Sequence, residues 1–325
     1  MTKMLSRATI AAAALLSLCA LPAAAQPRPY PTQPIRVIVP FSAGTSDTVA
    51  RLVGQTMSQA MGQPLVIESR PGAGGNIGSE ACARATPDGY TICLGTISSH
   101  AINPAIFTKM PYDNIRDFAP ITQLASQPNA LAVGMEVPAR NVQELIALLK
   151  ASPGRYNYGS SGVGTSIHLA GALFSQLTGV TMEHVPYRGS GQIMTALLTG
   201  ELPLAFDNFS SAWPFARENK IRILGVGSLS RSPTAPDVPT VAETVPGFES
   251  LSWHGFFAPA GTPPAIVERL NKEAVAALRS DTVRARFAEL GITPVGNTAA
   301  EFSAFVASET ARWGEVARKA DIRVE

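Results

Sequence analysis

Residues 35–61 read IRVIVPFSAGTSDTVARLVGQTMSQAM, and the architecture follows from this stretch. Ile35, Val37, Ile38 and Val39 form a short β-branched run, as a strand covered on both faces requires. Pro40 has no N–H to give and ends the ladder. Apolar residues then recur at Val49, Leu52, Val53, Met57, Ala60 and Met61, the spacing of an amphipathic helix. Thr45 or Ser46 is expected as its N-cap and Gly62 as its stop. A Gly-containing loop that feeds a helix N-terminus leaves backbone N–H groups pointing at one spot. Orphan donors and the helix dipole together make that spot attract anions.

The pattern repeats outward from there. Leu65–Glu68 reads as a second strand, and the Gly-rich run 70–80, RPGAGGNIGSE, leads into a helix ending near Ala85. Thr91–Gly95 is a third strand, closed by the polar loop Thr96–His100. This βαβαβ order implies a parallel sheet with right-handed crossovers. Strands are expected near Ile121–Leu124 and Ala130–Val133, and then the pattern restarts. A helix at Val142–Lys150, a strand at 156–158 and the Gly/Ser loop Gly159–Ser166 precede a helix stopped by Gly179. Strand Glu183–Tyr187, a helix ended by Gly200, and strands Leu202–Phe206 and Ile221–Val226 follow. Leu251–Ala258 reads as a return strand anchored by Trp253 and Phe257. Helices at about Pro264–Arg279 and Ala299–Ala320 complete the chain. The expected fold is α/β, two-lobed, with the second lobe (131–251) inserted into the first (26–130 and 252–325). Hinge crossings are expected near Ala130–Met135 and Leu251–Phe256.

Composition narrows the function. Residues 1–25 have a basic start (Lys3, Arg7), an apolar core and an Ala23-Ala24-Ala25 cleavage site, the marks of a secretory signal peptide. The mature chain is expected in the periplasm. Of 26 basic residues Lys3 and Arg7 leave with the leader, so 24 remain against 24 acidic ones. With no basic block and no long apolar span, nucleic acid is excluded as a partner, and so is insertion into the bilayer. The four histidines have no metal-ligand spacing, so neither a metal nor a cofactor is expected. Cys82 and Cys93 remain after the leader; an oxidising compartment permits a bridge, and two buried small hydrophobes are as plausible.

Ligands in open α/β sheets bind beyond the carboxyl ends of strands. The candidates there are Phe41, Ser42, Ala43, Gly44, Thr45 and Asp47 from the first loop, with Thr96 and Ser98 from the third. The second lobe offers Ser160, Gly162, Gly164, Thr165, Ser166, His168, Arg188 and Asp207. Asp47 in a first helical turn also suits a plain dipole partner, and His168 a packed histidine. Enzyme motifs fail: Val163 stands where a nucleophile elbow needs Gly, and both Gly-rich runs lack the third Gly of a dinucleotide fingerprint.

In their order, 39–44 (VPFSAG) with Asp47 and Arg51, 70–78 (RPGAGGNIG), 87–91 (PDGYT), 158–165 (YGSSGVGT), 185–189 (VPYRG) and 236–243 (PDVPTVAE) resemble one family. It is the solute receptors of tripartite tricarboxylate transporters, the Bug-type periplasmic receptors. The resemblance spans essentially the whole mature chain. It implies a type II periplasmic binding protein-like fold, no catalysis, and a monomer that closes on a small organic carboxylate. A di- or tricarboxylate, an acidic amino acid or an aromatic acid would suit, passed on to a membrane permease. It also implies that loops 42–47 and 160–166 act as pincers on one carboxylate, largely through backbone amides. Thr45 departs from the family's usual second Gly, which narrows the pocket or adds a hydroxyl contact. Two other readings stand beside this one: a ligand sensor docking to a signalling partner, and a secreted hydrolase using Ser161 and His168.

Overall fold

The computed structural model describes residues 30–319 and 323–324; the expected leader lies outside them. The first elements are β1 (Ile35–Val39), α1 (Thr45–Met61), β2 (Leu65–Ser69), α2 (Asn76–Ala83), β3 (Thr91–Thr96) and α3 (Asn103–Ile106). Next come β4 (Phe118–Gly134), α4 (Val142–Ala151), β5 (Asn157–Ser160), α5 (Ser166–Thr178), β6 (Glu183–Pro186) and α6 (Ser190–Thr199). Then β7 (Leu204–Asn208), α7 (Phe209–Arg217), β8 (Ile221–Val226) and β9 (Leu251–Pro259). The chain ends with α8 (Pro264–Arg279), α9 (Asp281–Leu290), β10 (Thr293–Pro294) and α10 (Ala299–Lys319).

Strand order is β2-β1-β3-β9-β4-β7-β5-β6, with β8 and β10 also on β4. β1 lies parallel to β2 and β3, and β5 lies parallel to β6 and β7, so each half is built on a parallel core. β9 runs antiparallel between β3 and β4 and returns the chain to the first half. The result is the expected two-lobed α/β fold. Apolar residues collect accordingly. Ile38, Trp253, Phe257 and Phe302 share one cluster, and Leu131, Phe174, Phe206 and Phe248 share another.

Several expectations need correction. The two strands expected near 121–124 and 130–133 are one continuous strand, β4. Its Gln123, Gln127 and Asn129 look like loop residues in sequence but are buried, and β4 changes partner here. Residues up to Pro128 pair with β9, and Asn129–Val133 pair with β7. The polar loop expected after β3 is wound into a π-type turn, Ser98–Ile102, that runs into α3. The α1 N-cap is Gly44, which has no side chain to cap with, and the Thr45 and Ser46 hydroxyls bond Ser210, Ser211 and His254 instead of a helix amide. Helices α7 and α9 were not anticipated; Pro214 inside α7 hides its helical pattern.

Cys82 of α2 and Cys93 of β3 form a disulfide, with Cα atoms 6.0 Å apart. Closing a loop of 11 residues removes chain entropy worth about 3 kcal/mol. A Cys82→Ala/Cys93→Ala double variant is expected to lose stability of that order in urea denaturation. Two free thiols in the denatured, unreduced mature protein would contradict the bridge.

Candidate functional site

Four helices begin at one place. The N-termini of α1, α5, α6 and α7 meet around a small cavity of about 30 Å³. Each helix follows directly or by a short loop from a strand's carboxyl end: β1, β5, β6 and β7. The parallel topology therefore brings four helix N-termini to one cavity, with Ser166 N, Gly191 N and Ser210 N already bonded to Ser98 Oγ, Ala43 O and Gln127 Oε1. The walls are Phe41, Ser42, Gly44, Thr45 and Ser46 from the first loop and α1, then Ser161, Thr165, Ser166 and Ile167 around α5. Ser190 comes from α6 and Asn208 from the start of α7, while Thr96, Ser98, Ser252 and His254 close the floor. Thr96 and His254 are neighbours in the β3–β9 register, which explains why residues so far apart in sequence share this floor.

The cavity carries hydroxyls and helix N-termini, and none of its lining residues is Lys, Arg, Asp or Glu. His254 is held neutral, since burial pushes it down to about 4. Its Nε2 lies 3.1 Å from Ser46 Oγ, and its Nδ1 has no partner. The positive field must come from dipoles. One N-terminus favours an anion by ~0.3–1 kcal/mol at a surface and up to ~2 when partly buried, so four helix ends at one cavity favour negative charge there.

Loops from the two lobes touch across the cavity. Ser42 Oγ donates to Arg188 O at 3.2 Å, and Gly191 N donates to Ala43 O at 3.1 Å. Ser166 N donates to Ser98 Oγ at 3.2 Å. Thr45 Oγ1 lies 2.6 Å from Ser210 Oγ and 2.9 Å from Ser211 Oγ. These bonds describe a closed arrangement.

Of the residues read from sequence, the structure brings Phe41, Ser42, Gly44, Thr45, Thr96, Ser98, Thr165 and Ser166 into the wall. The others stand behind it or away from it. The Ala43 carbonyl is taken by Gly191, and Asp47 forms an ion pair with Arg51 at 2.7 Å, the dipole-partner role. Arg188 contributes its carbonyl rather than its guanidinium. Gly162 N donates to Ser160 Oγ and Gly164 N to His168 Nδ1, so these two amides face inward, away from a ligand. Ser160 Oγ also meets His184 Nε2 at 2.5 Å, and the His168 and His184 rings lie with centroids 4.1 Å apart, tilted by 34°. Burial keeps both neutral, down to about 4 and about 3. Asp207 is fully buried behind Ser190, whose hydroxyl donates to it at 2.6 Å. Burial pushes its carboxyl up to about 7, against the smaller pull of its bonds from Ser190 and Asn208 N.

Ser46, Ser161, Ile167, Ser190 and Asn208 lie in the strand-end loops that the sequence points to without being singled out as ligand contacts, and Ser252 and His254 were not among the sequence candidates. A signal existed for two of the former. Gly189-Ser190 repeats the Gly44-Thr45 arrangement at a helix start, and Asn208 ends a strand where a helix begins. Ser252 and His254 carried none, since only strand pairing places them.

The sequence pattern of the "Tripartite tricarboxylate transporter family receptor" matches residues 49–322. Protein BugT of Bordetella pertussis is 34% identical over 299 residues, covering 91% of this chain and 92% of that protein. The structure of R. palustris Rpa4515 with adipate is similar at a TM-score of 0.88 and 38% identity, covering 90% of this chain and 99% of that one. MatC from Rhodopseudomonas palustris with bound malate is similar at a TM-score of 0.84 and 33% identity, covering 88% and 99%.

Proposed function

Because the chain belongs to the tripartite tricarboxylate transporter family of receptors, we propose that its uncharged anion hole captures one carboxylate of a small organic acid. Delivery goes to a membrane permease from the periplasm, by a monomer whose lobes (26–130 with 252–325, and 131–251) close on the ligand. The observation that carries the reading is the convergence of four helix N-termini on a hydroxyl-lined cavity without a cationic side chain. Charge-assisted bonds contribute ~1.5–3 kcal/mol each. Three or four reach the ~8 kcal/mol of a micromolar site. No arginine is required. Similarity to receptors with adipate and malate bound supports an aliphatic acid.

Catalysis is not part of this reading. His168 Nδ1 accepts from Gly164 N rather than meeting Ser161. The Ser46–His254 pair in the wall has no acid to orient the ring, because His254 Nδ1 has no partner.

A thermal-shift panel of di- and tricarboxylates, acidic amino acids and aromatic acids tests the proposal. At a concentration about a hundredfold above Kd, a true ligand adds about 2.7 kcal/mol to stability, a shift of several degrees. No shift with any carboxylate, or turnover of simple esters by the purified protein, would count against it.

A further inference from the structure

Asp207 is a buried acid that the carboxylate reading leaves without a task. It lies at the carboxyl end of β7, beside the start of α7, and is fully buried. Its Oδ1 accepts from Ser190 Oγ at 2.6 Å and from Asn208 N at 2.7 Å, while Oδ2 has no partner. Both donors belong to residues in the wall of the anion hole. A carboxylate thus stands one residue behind a site for carboxylates and draws on the same two helix starts, α6 and α7.

No cation offsets it. The elements packed against β7 are β4, β5, α5, α6 and α7. β4 and α6 carry no titratable side chain. Tyr158 of β5 donates its hydroxyl to His168 O, and burial holds the phenol protonated. His168 of α5 is held neutral by burial. Arg217 lies in the last turn of α7, at the end away from Asn208, and is exposed. In the hole itself His254 is neutral, and Asp47 of α1 is paired with Arg51. Burial therefore raises the Asp207 carboxyl to about 7, opposed only by the bonds from Ser190 and Asn208.

Building on the carboxylate reading above, we propose that capture of the ligand is coupled to uptake of a proton by Asp207, so that the buried acid becomes neutral as the anion enters in front of it. The proton comes from solvent and settles on Oδ2, the oxygen that no donor reaches. Oδ1 keeps its bonds from Ser190 and Asn208. The cause is like-charge repulsion across one serine in a site of low dielectric, which favours the protonated acid once a second carboxylate arrives. Linkage fixes the sign: a step that takes up a proton weakens as pH rises. Asp207 acts through Ser190 and Asn208 and is a positioning residue rather than a ligand contact. It gives the receptor a firmer hold on its ligand in mildly acidic surroundings than in alkaline ones.

Calorimetry tests this with adipate, or with the strongest acid of the thermal-shift panel should adipate not bind. The unaltered protein is expected to bind about fivefold or more weakly at pH 8.5 than at pH 6.5, a range in which the ligand carboxylates stay ionised. Titrations at pH 7.5 in two buffers of different ionisation enthalpy count the protons, and about half a proton per ligand is expected. Asp207→Asn, a neutral side chain of the same shape, is expected to bind equally at both pH values and to take up none at pH 7.5. A purely structural role for Asp207 would instead lower affinity alike at both pH values and leave the pH dependence in place. The proton count on the unaltered protein needs no variant and stands if Asp207→Asn does not fold. Equal affinity at pH 6.5 and 8.5, uptake confined to below about pH 6 where histidines titrate, or a pH dependence that survives in Asp207→Asn overturns the coupling and leaves the anion hole standing. If the unaltered protein binds no acid of the panel, the carboxylate reading fails and the coupling with it.

Discussion

Gly164→Val is expected to weaken carboxylate binding by about a hundredfold or more, while Ser161→Ala lowers it by no more than about tenfold. Gly164 has φ +82°, a region that a β-branched residue enters only under strain. A β carbon there would lie 2.5 Å from Asn103 Oδ1 and 2.8 Å from Phe107 Cε2. Asn103 belongs to the first lobe and is fixed, donating to Gly74 O and Asn76 Oδ1. The opposing surface has the same requirement: a β carbon on Gly74, φ +62°, would lie 2.5 Å from Val163 O. The two loops thus meet backbone to backbone, and a side chain at 164 props them apart. The effect acts through closure and not through the Gly164 amide, which is taken by His168. Ser161→Ala keeps its backbone N–H and removes one neutral hydroxyl from the wall. Calorimetry on both variants, with circular dichroism to confirm folding, decides the order; tolerance of Val at 164 would contradict the close seam.

Acid is expected to destabilise the protein steeply between pH 6.5 and 4. His100 and His254 are fully buried and held neutral, at about 3 and about 4 against an ordinary 6.5. In this window the unfolded chain binds protons that the folded one refuses, so stability falls as pH falls. Each contributes a loss of about 2 kcal/mol by pH 5. His168 and His184 act in the same direction with less weight, because they are partly exposed to solvent. Asp207 opposes them. Its carboxyl, raised to about 7, takes up a proton in the folded state that the unfolded chain does not hold until about pH 4. Its contribution therefore grows as pH falls through 7. Asp207→Asn removes this opposing effect and is expected to make the loss from pH 7.5 to pH 5 larger. Urea denaturation of both proteins at the two pH values measures it. Equal stability at pH 5 and 7.5, or a shallower fall in the variant, would contradict the buried-group assignments.

Much of this was legible in the sequence because local periodicity and topology agree. The β1–α1 unit shows its strand as a β-branched run and its helix as a 3.6-residue repeat, and both form at the expected positions. The Gly stops at 62, 179 and 200 all cap helices in the left-handed conformation. β4 was harder, since its buried Gln127 and Asn129 find a partner for one end of each amide only far along the chain, at Ser210 N and Ser250 Oγ. The wall of the hole was half legible. Loop residues at strand ends announce themselves by composition, whereas Ser252 and His254 enter through the antiparallel return of β9. The direction of individual amides was not legible at all, because it depends on which side chain, such as His168, reaches back to claim them.

In the proposed function, dipoles and hydroxyls, with no cation, hold the ligand carboxylate. Isothermal titration of the mature protein compares the strongest acid of the thermal-shift panel with its primary-amide analogue of equal length. The account predicts that the acid binds at least about a hundredfold tighter, because the amide brings no charge to the four helix N-termini and its N–H groups meet donors. Equal affinity for the acid and the amide would contradict it.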